Sequence, residues 1–145
     1  MENSEPLEMA DDDSSLDDEG FSGSVDRVNP ERSLLLAKTA ASTAAELGGE
    51  NILVLDMTER TALFDYFVII TGSSRRHLQA MADEIDQVLE VQLNDKRLSI
   101  DGTDNSRWIV LDYGSVVIHL FDEDTRAFYS LEALWSDAPK VNFSA

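Results

Sequence analysis

The stretch RWIVLDYGSVVIHLF, residues 107–121, consists of two apolar runs separated by Asp-Tyr-Gly-Ser. Short apolar runs are typical of β-strands, in which side chains alternate between two faces, and Asp-Tyr-Gly-Ser is typical of a tight turn. The pattern therefore predicts a β-hairpin with Tyr113-Gly114 as its two-residue loop. The predicted cross-strand pairs are Trp108–His119, Val110–Val117 and Asp112–Ser115.

The alternation gives this hairpin two unlike faces. One face is wholly aliphatic and is predicted to lie on the core: Ile109, Leu111, Val116, Ile118 and Leu120. The other face is mixed: Trp108, Val110, Asp112, Ser115, Val117, His119 and Phe121. Two interpretations of the mixed face stay open. It is an interaction surface anchored by Trp108, or a helix of the same chain covers it and His119 is an ordinary core histidine.

The sequence of the N-terminal half predicts a helix followed by two strands. The first helix begins at Asn29-Pro30 and ends at Gly48-Gly49, since Asn is a common N-cap, Pro suits the first turn and Gly ends helices. Its predicted inward positions are Leu34, Leu35, Lys38, Ala41, Ala45 and Leu47. NILVLDM and LFDYFVIIT are β-branched and aromatic runs that predict two buried strands.

The remaining elements are a long helix, a short strand and a last helix. Ser73 or Ser74 caps the long helix, and its predicted inward positions are Leu78, Met81, Ile85, Val88 or Leu89, and Gln92 or Leu93. A short strand is expected over 98–100, before the hairpin. DEDTRAFYSLEALW predicts one final helix, with Phe128, Leu131 and Leu134 or Trp135 facing inward.

The order α-β-β-α-β-β-β-α predicts an α/β protein of the α+β type, with a mixed five-stranded sheet and helices packed on it. Residues 1–29 have no hydrophobic period and are rich in acids, Ser and Gly, which predicts a disordered acidic tail. The expected domain covers residues 30–137, and residues 138–145 are expected to form a C-terminal tail.

The formal net charge is −18. Residues 1–29 carry ten acids and one base, and residues 30–145 carry nineteen acids and ten bases, so each part contributes −9. Such a chain repels phosphate backbones, so we expect no direct nucleic-acid binding, and it attracts basic protein partners. No run is long and apolar enough for a membrane span, no cysteine is present and the N-terminus is not a leader sequence, which together predict a cytoplasmic protein.

Residues that carry chemistry are sparse. The two histidines, His77 and His119, lie far apart in the sequence, and no metal-binding or cofactor pattern is evident. TGSS before a helix is a weak phosphate-binding signal. A nucleotidyl-transferring enzyme would pair Gly72-Ser73 with two carboxylates on a following strand, but the candidates, Asp83, Glu84 and Asp86, fall within the predicted helix. We therefore expect no catalytic site, no metal and no cofactor.

Two long blocks carry a resemblance to a known family. LFDYFVIITGSSRRHLQAMADEI and DGTDNSRWIVLDYGSVVIHLFDEDTRAFYSLEALW closely resemble the ribosomal silencing factor, or Iojap-like, proteins, over about residues 32 to 136. The matching positions of the second block are Trp108-Ile109-Val110, Asp112, Gly114, Val116, His119, Arg126, Tyr129, Leu131-Glu132 and Leu134-Trp135. Asp124 departs from the family pattern, where a longer acid is common.

The resemblance implies a nucleotidyltransferase-like fold without a catalytic site and a protein that is not an enzyme. It also implies binding to large-subunit ribosomal protein number fourteen, which blocks subunit joining and represses translation under nutrient limitation. Carried onto this chain, the partner-binding residues are Trp108 as anchor, Asp112 facing basic groups, Tyr113 at the loop tip and His119 as the neighbour of Trp108. Arg126, Tyr129 and Glu132 are expected to tie the last helix to the sheet.

Three alternatives stay open on the sequence. One is a nucleotide-binding or nucleotidyltransferase-like enzyme. Another is a factor that assists assembly of the large subunit, which would use the same contact surface. The third concerns the free protein, which is expected to form a homodimer if Trp108 and Phe121 lie exposed on one patch.

Overall fold

A computed structural model describes residues 30–102 and 106–143. The elements are α1 (Pro30–Glu46), β1 (Glu50–Asp56), β2 (Tyr66–Gly72), α2 (Arg75–Leu93), β3 (Ser99–Asp101), β4 (Trp108–Asp112), β5 (Val116–Asp122), α3 (Glu123–Tyr129) and α4 (Leu131–Leu134). The predicted order is confirmed, except that the last helix is two short ones. The predicted acidic tail, residues 1–29, lies outside the described residues.

The five strands form one mixed sheet in the order β1-β2-β5-β4-β3. Strands β2 and β5 are parallel and the other neighbours are antiparallel. The predicted α+β fold with a mixed five-stranded sheet is therefore confirmed. Helices α1 and α2 cover one face of the sheet, and every residue of β2, which lies between β1 and β5, is buried.

Helix α2 follows the sequence prediction closely. Ser74 is its N-cap and its side chain accepts a hydrogen bond from His77 N. The buried positions, Leu78, Met81, Ala82, Ile85 and Leu89, follow the expected three- and four-residue steps. A Cβ at Gly72 would lie 2.5 Å from Leu78 Cδ2, so this glycine lets α2 return closely onto the end of β2.

Helix α1 has the predicted bounds but a different buried face. Its buried residues are Ser33, Leu36, Ala37, Ala40, Ala41, Thr43 and Ala44, whereas Leu35 is 47% exposed and Leu47 is exposed as well. The predicted stripe is therefore wrong, apart from the buried Ala41 and Leu34, which is partly buried and packs against the core. Small side chains let α1 lie close to α2 and β2, so close packing outweighed the larger apolar area of the leucines.

The hairpin has the predicted faces and a different register. Trp108 pairs with Phe121, Val110 with His119 and Asp112 with Val117. Tyr113 N donates to Val116 O at 2.9 Å, so the loop is Gly114-Ser115 and the predicted loop is wrong. Gly114 has φ +86°, a conformation that favours glycine at the first position of such a loop. The aliphatic face is fully buried, as predicted.

The last predicted helix breaks at Ser130, which has φ 49° and ψ 49°. Its hydroxyl donates to Ala127 O at 2.8 Å and its N–H donates to Arg126 O. Serine competes in this way with helical hydrogen bonds. Phe128, before the break, is 80% exposed, and Leu134, after it, is 70% exposed. The predicted inward orientation of Phe128 is therefore wrong, whereas Leu131 packs inward as predicted and, of the alternatives Leu134 and Trp135, it is Trp135 that packs against the sheet.

Residues 138–143, which the sequence assigned to a tail, lie along the outer edge of β1. Asp56 N donates to Pro139 O and Val141 N donates to Val54 O, both at 2.8 Å. Ala138 is buried, and Val141 and Phe143 pack against the core. These hydrogen bonds use backbone groups that an edge strand otherwise leaves unpaired.

Candidate functional site

The mixed face of the hairpin lies on the side of the sheet away from α1 and α2, and we call this side the distal face. It carries a second, smaller cluster of buried residues: Leu55, Met57, Phe67, Ile69, Phe121 and Ala138. Trp108, Val117, Leu131 and Trp135 pack against this cluster and are partly exposed. Helices α3 and α4 thus cover only part of the distal face.

Trp108 and His119 are joined by a hydrogen bond on the distal face. Trp108 Nε1 donates to His119 Nδ1 at 2.9 Å, which requires Nδ1 to be unprotonated. His119 is buried, and burial lowers its pKa to about 4. The ring is therefore neutral at neutral pH, and it remains an acceptor for the indole N–H.

Aromatic side chains surround Trp108. Its ring centroid lies 4.7 Å from that of Tyr129 and 5.1 Å from that of Phe121. Phe121 itself is fully buried. The homodimer was predicted on the condition that Trp108 and Phe121 lie exposed on one patch. Because Phe121 is buried, this condition is not met. The interpretation of the mixed face as covered holds for His119 and Phe121, which are core residues; Trp108 is partly exposed, and its role as an interaction anchor stays a prediction.

Acidic side chains share the distal face with Trp108 toward the β3 edge of the sheet. Asp112 is partly exposed, and its Oδ1 accepts a hydrogen bond from Gly114 N at 2.8 Å. In the neighbouring strand β3, Ser99 pairs with Asp112 and Asp101 pairs with Val110. Asp101 is exposed. The edge of the distal face thus presents two carboxylates near a partly exposed indole.

Tyr113 is separated from the other predicted site residues. It belongs to the core beneath α1 and α2, where its hydroxyl donates to Asp86 Oδ1 at 2.7 Å. Burial, together with this hydrogen bond, raises the pKa of Tyr113. Its predicted position at an exposed loop tip is therefore wrong. Trp108, Asp112 and His119 share one face, and their role in partner binding stays a prediction.

The last helices are attached to the sheet through Arg126, as predicted. Its guanidinium donates to Asn51 O at 2.6 Å, to Thr71 Oγ1 at 2.7 Å and to Glu132 Oε2 at 3.1 Å. Glu132 lies beyond the break at Ser130, so one buried cation holds both α3 and α4 against β1 and β2. This arrangement fixes Tyr129 beside Trp108.

The carboxylates considered for catalysis lie on α2, on the other side of the sheet. Asp83 accepts from Gln79, and Asp86 binds Tyr113 and Arg97. In the preceding turn, Ser73 N donates to His77 Nδ1. Within residues 30–102 and 106–143, no group of three or more His, Asp or Glu side chains could hold a metal ion.

The profile of a family described as "Ribosomal silencing factor during starvation" matches residues 30–145. The chain belongs to the ribosomal silencing factor family. Ribosomal silencing factor RsfS of Bacillus subtilis is 42% identical over 105 residues, which cover 72% of this chain and 87% of that protein. The mouse protein named "Mitochondrial assembly of ribosomal large subunit protein 1" is 38% identical over 88 residues, covering 59% of this chain and 39% of that protein.

Solved structures agree with this assignment to the ribosomal silencing factors. A crystal structure of a Chromobacterium violaceum protein superposes with a TM-score of 0.68 at 28% identity, covering 77% of this chain and 92% of that chain. A crystal structure of a Bacillus halodurans protein superposes with a TM-score of 0.65 at 31% identity, covering 75% of this chain and 98% of that chain. Among the described residues of this family member, no helix is long and apolar enough to cross a membrane.

Phe64, Phe67 and Phe128 are further aromatic residues of the distal face that the sequence analysis did not assign to it. Phe67 packs 4.5 Å from His119 and Phe64 lies 5.3 Å from Phe67, measured between ring centroids. Both belong to the LFDYFVIIT run, in which the continuous apolar pattern hides the alternation that would have separated the two faces. Phe128 was assigned to the core because the break at Ser130 was not foreseen.

Proposed function

We propose that the protein binds ribosomal protein number fourteen of the large subunit through the distal face and thereby blocks joining of the small subunit. Translation is repressed by steric exclusion in the cytoplasm, without catalysis, when nutrients are short. The observation that carries this proposal is the partly exposed Trp108, whose indole is oriented by the bond to His119 and which shares the distal face with Asp112.

The chemistry of the distal face suits a basic protein. A tryptophan that is already held in one orientation loses little conformational freedom on binding, and such residues are frequent interface anchors. Asp101 and Asp112 add negative charge to the same face. Tyr113 is left out of the proposed contact because it is buried on the other side of the sheet.

Subunit joining is the direct test. Purified small and large subunits are mixed at fixed magnesium and salt concentrations, the protein is added in excess, and couple formation is followed by light scattering. We expect the protein to reduce joining. Trp108→Ala is expected to weaken binding by about 2 kcal/mol, roughly 30-fold, and therefore not to inhibit at the same concentration.

Two comparisons make this test specific. Trp108→Phe retains a ring beside Phe121 and Tyr129 but loses the N–H, so an intermediate effect is expected. Val91→Ser removes an apolar side chain that is 74% exposed on α2, behind the sheet, and should inhibit as well as the unaltered protein. Equal inhibition by the Trp108→Ala protein would rule out the distal face as the site of action.

Asp112 is tested with two substitutions. Asp112→Asn removes the charge and retains an oxygen that accepts the Gly114 N–H, so binding is expected to weaken with the turn intact. Asp112→Lys places a cation against a basic partner and should abolish binding. Unchanged affinity of both variants for the large subunit would remove Asp112 from the interface.

Assembly of the large subunit is the second candidate function, and the name of the mouse relative favours it. An assembly factor would use the same contact with a different consequence. If the protein sediments with the large subunit but leaves joining unchanged, assembly becomes the preferred function.

A further inference from the structure

Six rings form a continuous row across the distal face, and we call it the ring row. It runs from the loop before β2 to α3 in the order Phe64, Phe67, His119, Trp108, Tyr129 and Phe128. Successive ring centroids lie 5.3, 4.5, 5.8, 4.7 and 5.0 Å apart. These separations are within the range of favourable aromatic contacts, so the row connects the hairpin to α3.

From Phe67 onward, exposure rises along the ring row toward α3. Phe67 and His119 are buried, Trp108 is partly exposed, Tyr129 is 52% exposed and Phe128 is 80% exposed. Leu134 of α4 is exposed as well. Large apolar side chains gathered in this way on a surface are typical of a contact site.

The exposed charges of α3 are acidic. Glu123 and Asp124 are exposed in its first turn. Its one cation, Arg126, is buried and bound to Asn51 O, Thr71 Oγ1 and Glu132. An apolar anchor beside uncompensated carboxylates fits a basic protein surface and repels the phosphates of RNA.

We propose that the contact with the large subunit continues from Trp108 along the ring row onto α3, where Phe128 is a second apolar anchor for the same basic ribosomal protein. This inference rests on the function proposed above. It adds the exposed side of α3 to the surface that contacts this partner. Arg126, which attaches α3 to the sheet, then keeps this added surface beside the hairpin.

The test compares Phe128→Ser with Val91→Ser, two substitutions of apolar side chains with similar exposure on opposite sides of the sheet. Affinity for purified large subunits is measured by sedimentation, and thermal unfolding verifies that both variants fold. We expect Phe128→Ser to weaken binding at least about tenfold, as loss of an anchor does. Val91→Ser should bind like the unaltered protein, and Phe128→Leu should retain most of the affinity.

The remaining outcomes separate the inference from the function on which it rests. If Trp108→Ala weakens binding and Phe128→Ser does not, the inference is overturned and the proposed function stands. If the unaltered protein does not bind the large subunit, both are overturned. If Phe128→Ser weakens binding to whole large subunits but not to isolated ribosomal protein fourteen, Phe128 contacts a different partner from Trp108 and the inference is overturned. If Phe128→Ser changes only self-association of the free protein, a second copy occupies this surface and the inference is overturned.

Discussion

The hydrogen bond from Trp108 Nε1 to His119 Nδ1 couples a buried histidine to the proposed anchor. Protonation of Nδ1 would remove the acceptor and place a charge in an apolar cluster beside Phe67 and Phe121. Burial opposes this change and lowers the pKa of His119 to about 4. The indole is therefore held in the same way throughout the neutral pH range.

Stability is expected to fall as the pH is lowered from 6.5 to 4. In this range the unfolded chain binds a proton at His119 while the folded chain does not, so acid favours the unfolded state. A pKa difference between 6.5 and about 4 corresponds to about 3 kcal/mol of unfolding free energy. The measurement is urea denaturation at pH steps between 4 and 7.5.

His119→Gln separates this effect from the titration of carboxylates, because glutamine has an acceptor oxygen and does not titrate. The pH dependence of the variant should be flatter between pH 4 and 6.5 than that of the unaltered protein. Parallel curves for the two proteins would show that His119 is not the group responsible.

The types of the site residues were visible in the sequence, but their environments were not. Alternation placed Trp108, Asp112 and His119 on one face, as the structure confirms. Burial of His119 depends on Phe67, which lies in a strand far away in the sequence. Tyr113 was assigned to the loop, and this assignment concealed its burial and its contact with Asp86.

Among the elements, α3 and α4 depend most on one side chain. The Arg126 guanidinium binds one oxygen each of Asn51 in β1, Thr71 in β2 and Glu132 in α4. Neither helix is long enough to be stable alone. Without this cation, the α3 end of the ring row would lose its attachment to the sheet.

Arg126→Met is expected to destabilise the protein by about 3 kcal/mol, because it leaves buried acceptors without donors and Glu132 without its cation. Arg126→Lys should recover part of the loss, since one ammonium cannot reach all three partners in the same geometry. The midpoint of urea denaturation measures both effects.

Arg107→Met is the matched control for Arg126→Met. Arg107 forms a 3.7 Å ion pair with Asp122, and its side chain is 55% exposed. Exposed pairs contribute little to stability, so the midpoint should barely change. Equal losses in the Arg107 and Arg126 variants would show that the buried network is not what stabilises α3.

Helix α2 was predicted well because its cap and its apolar period agree. Helix α1 and the last helix were predicted less well, for two different reasons. In α1, small residues set the buried face while two leucines remained exposed. In the last segment, Ser130 adopts a left-handed conformation that a helical period alone does not reveal.

Across the whole molecule, a net charge of −18 is expected to accelerate the encounter with a basic partner. The association rate constant for the large subunit should fall by on the order of tenfold between low and moderately high salt concentrations, while the dissociation rate changes much less. Stopped-flow fluorescence at a series of salt concentrations measures both constants.

A chain lacking residues 1–29 retains −9 of the formal charge and the full family match. Its association rate should depend less steeply on salt concentration if the acidic segment contributes to attraction. An unchanged slope would assign the attraction to the folded part, including Asp101, Asp112, Glu123 and Asp124.

The sequence by itself determined the order of elements, the mixed sheet and the two faces of the hairpin, because side-chain alternation and helix capping follow from local backbone geometry. Tertiary structure decided which residues of α1 are buried, the position of the hairpin loop at Gly114-Ser115, the burial of His119 and the exposure of Phe128. These features depend on contacts between residues distant in the sequence, such as Phe67 with His119 and Arg126 with Asn51. Local periodicity identifies a face of an element, and only packing decides what covers it.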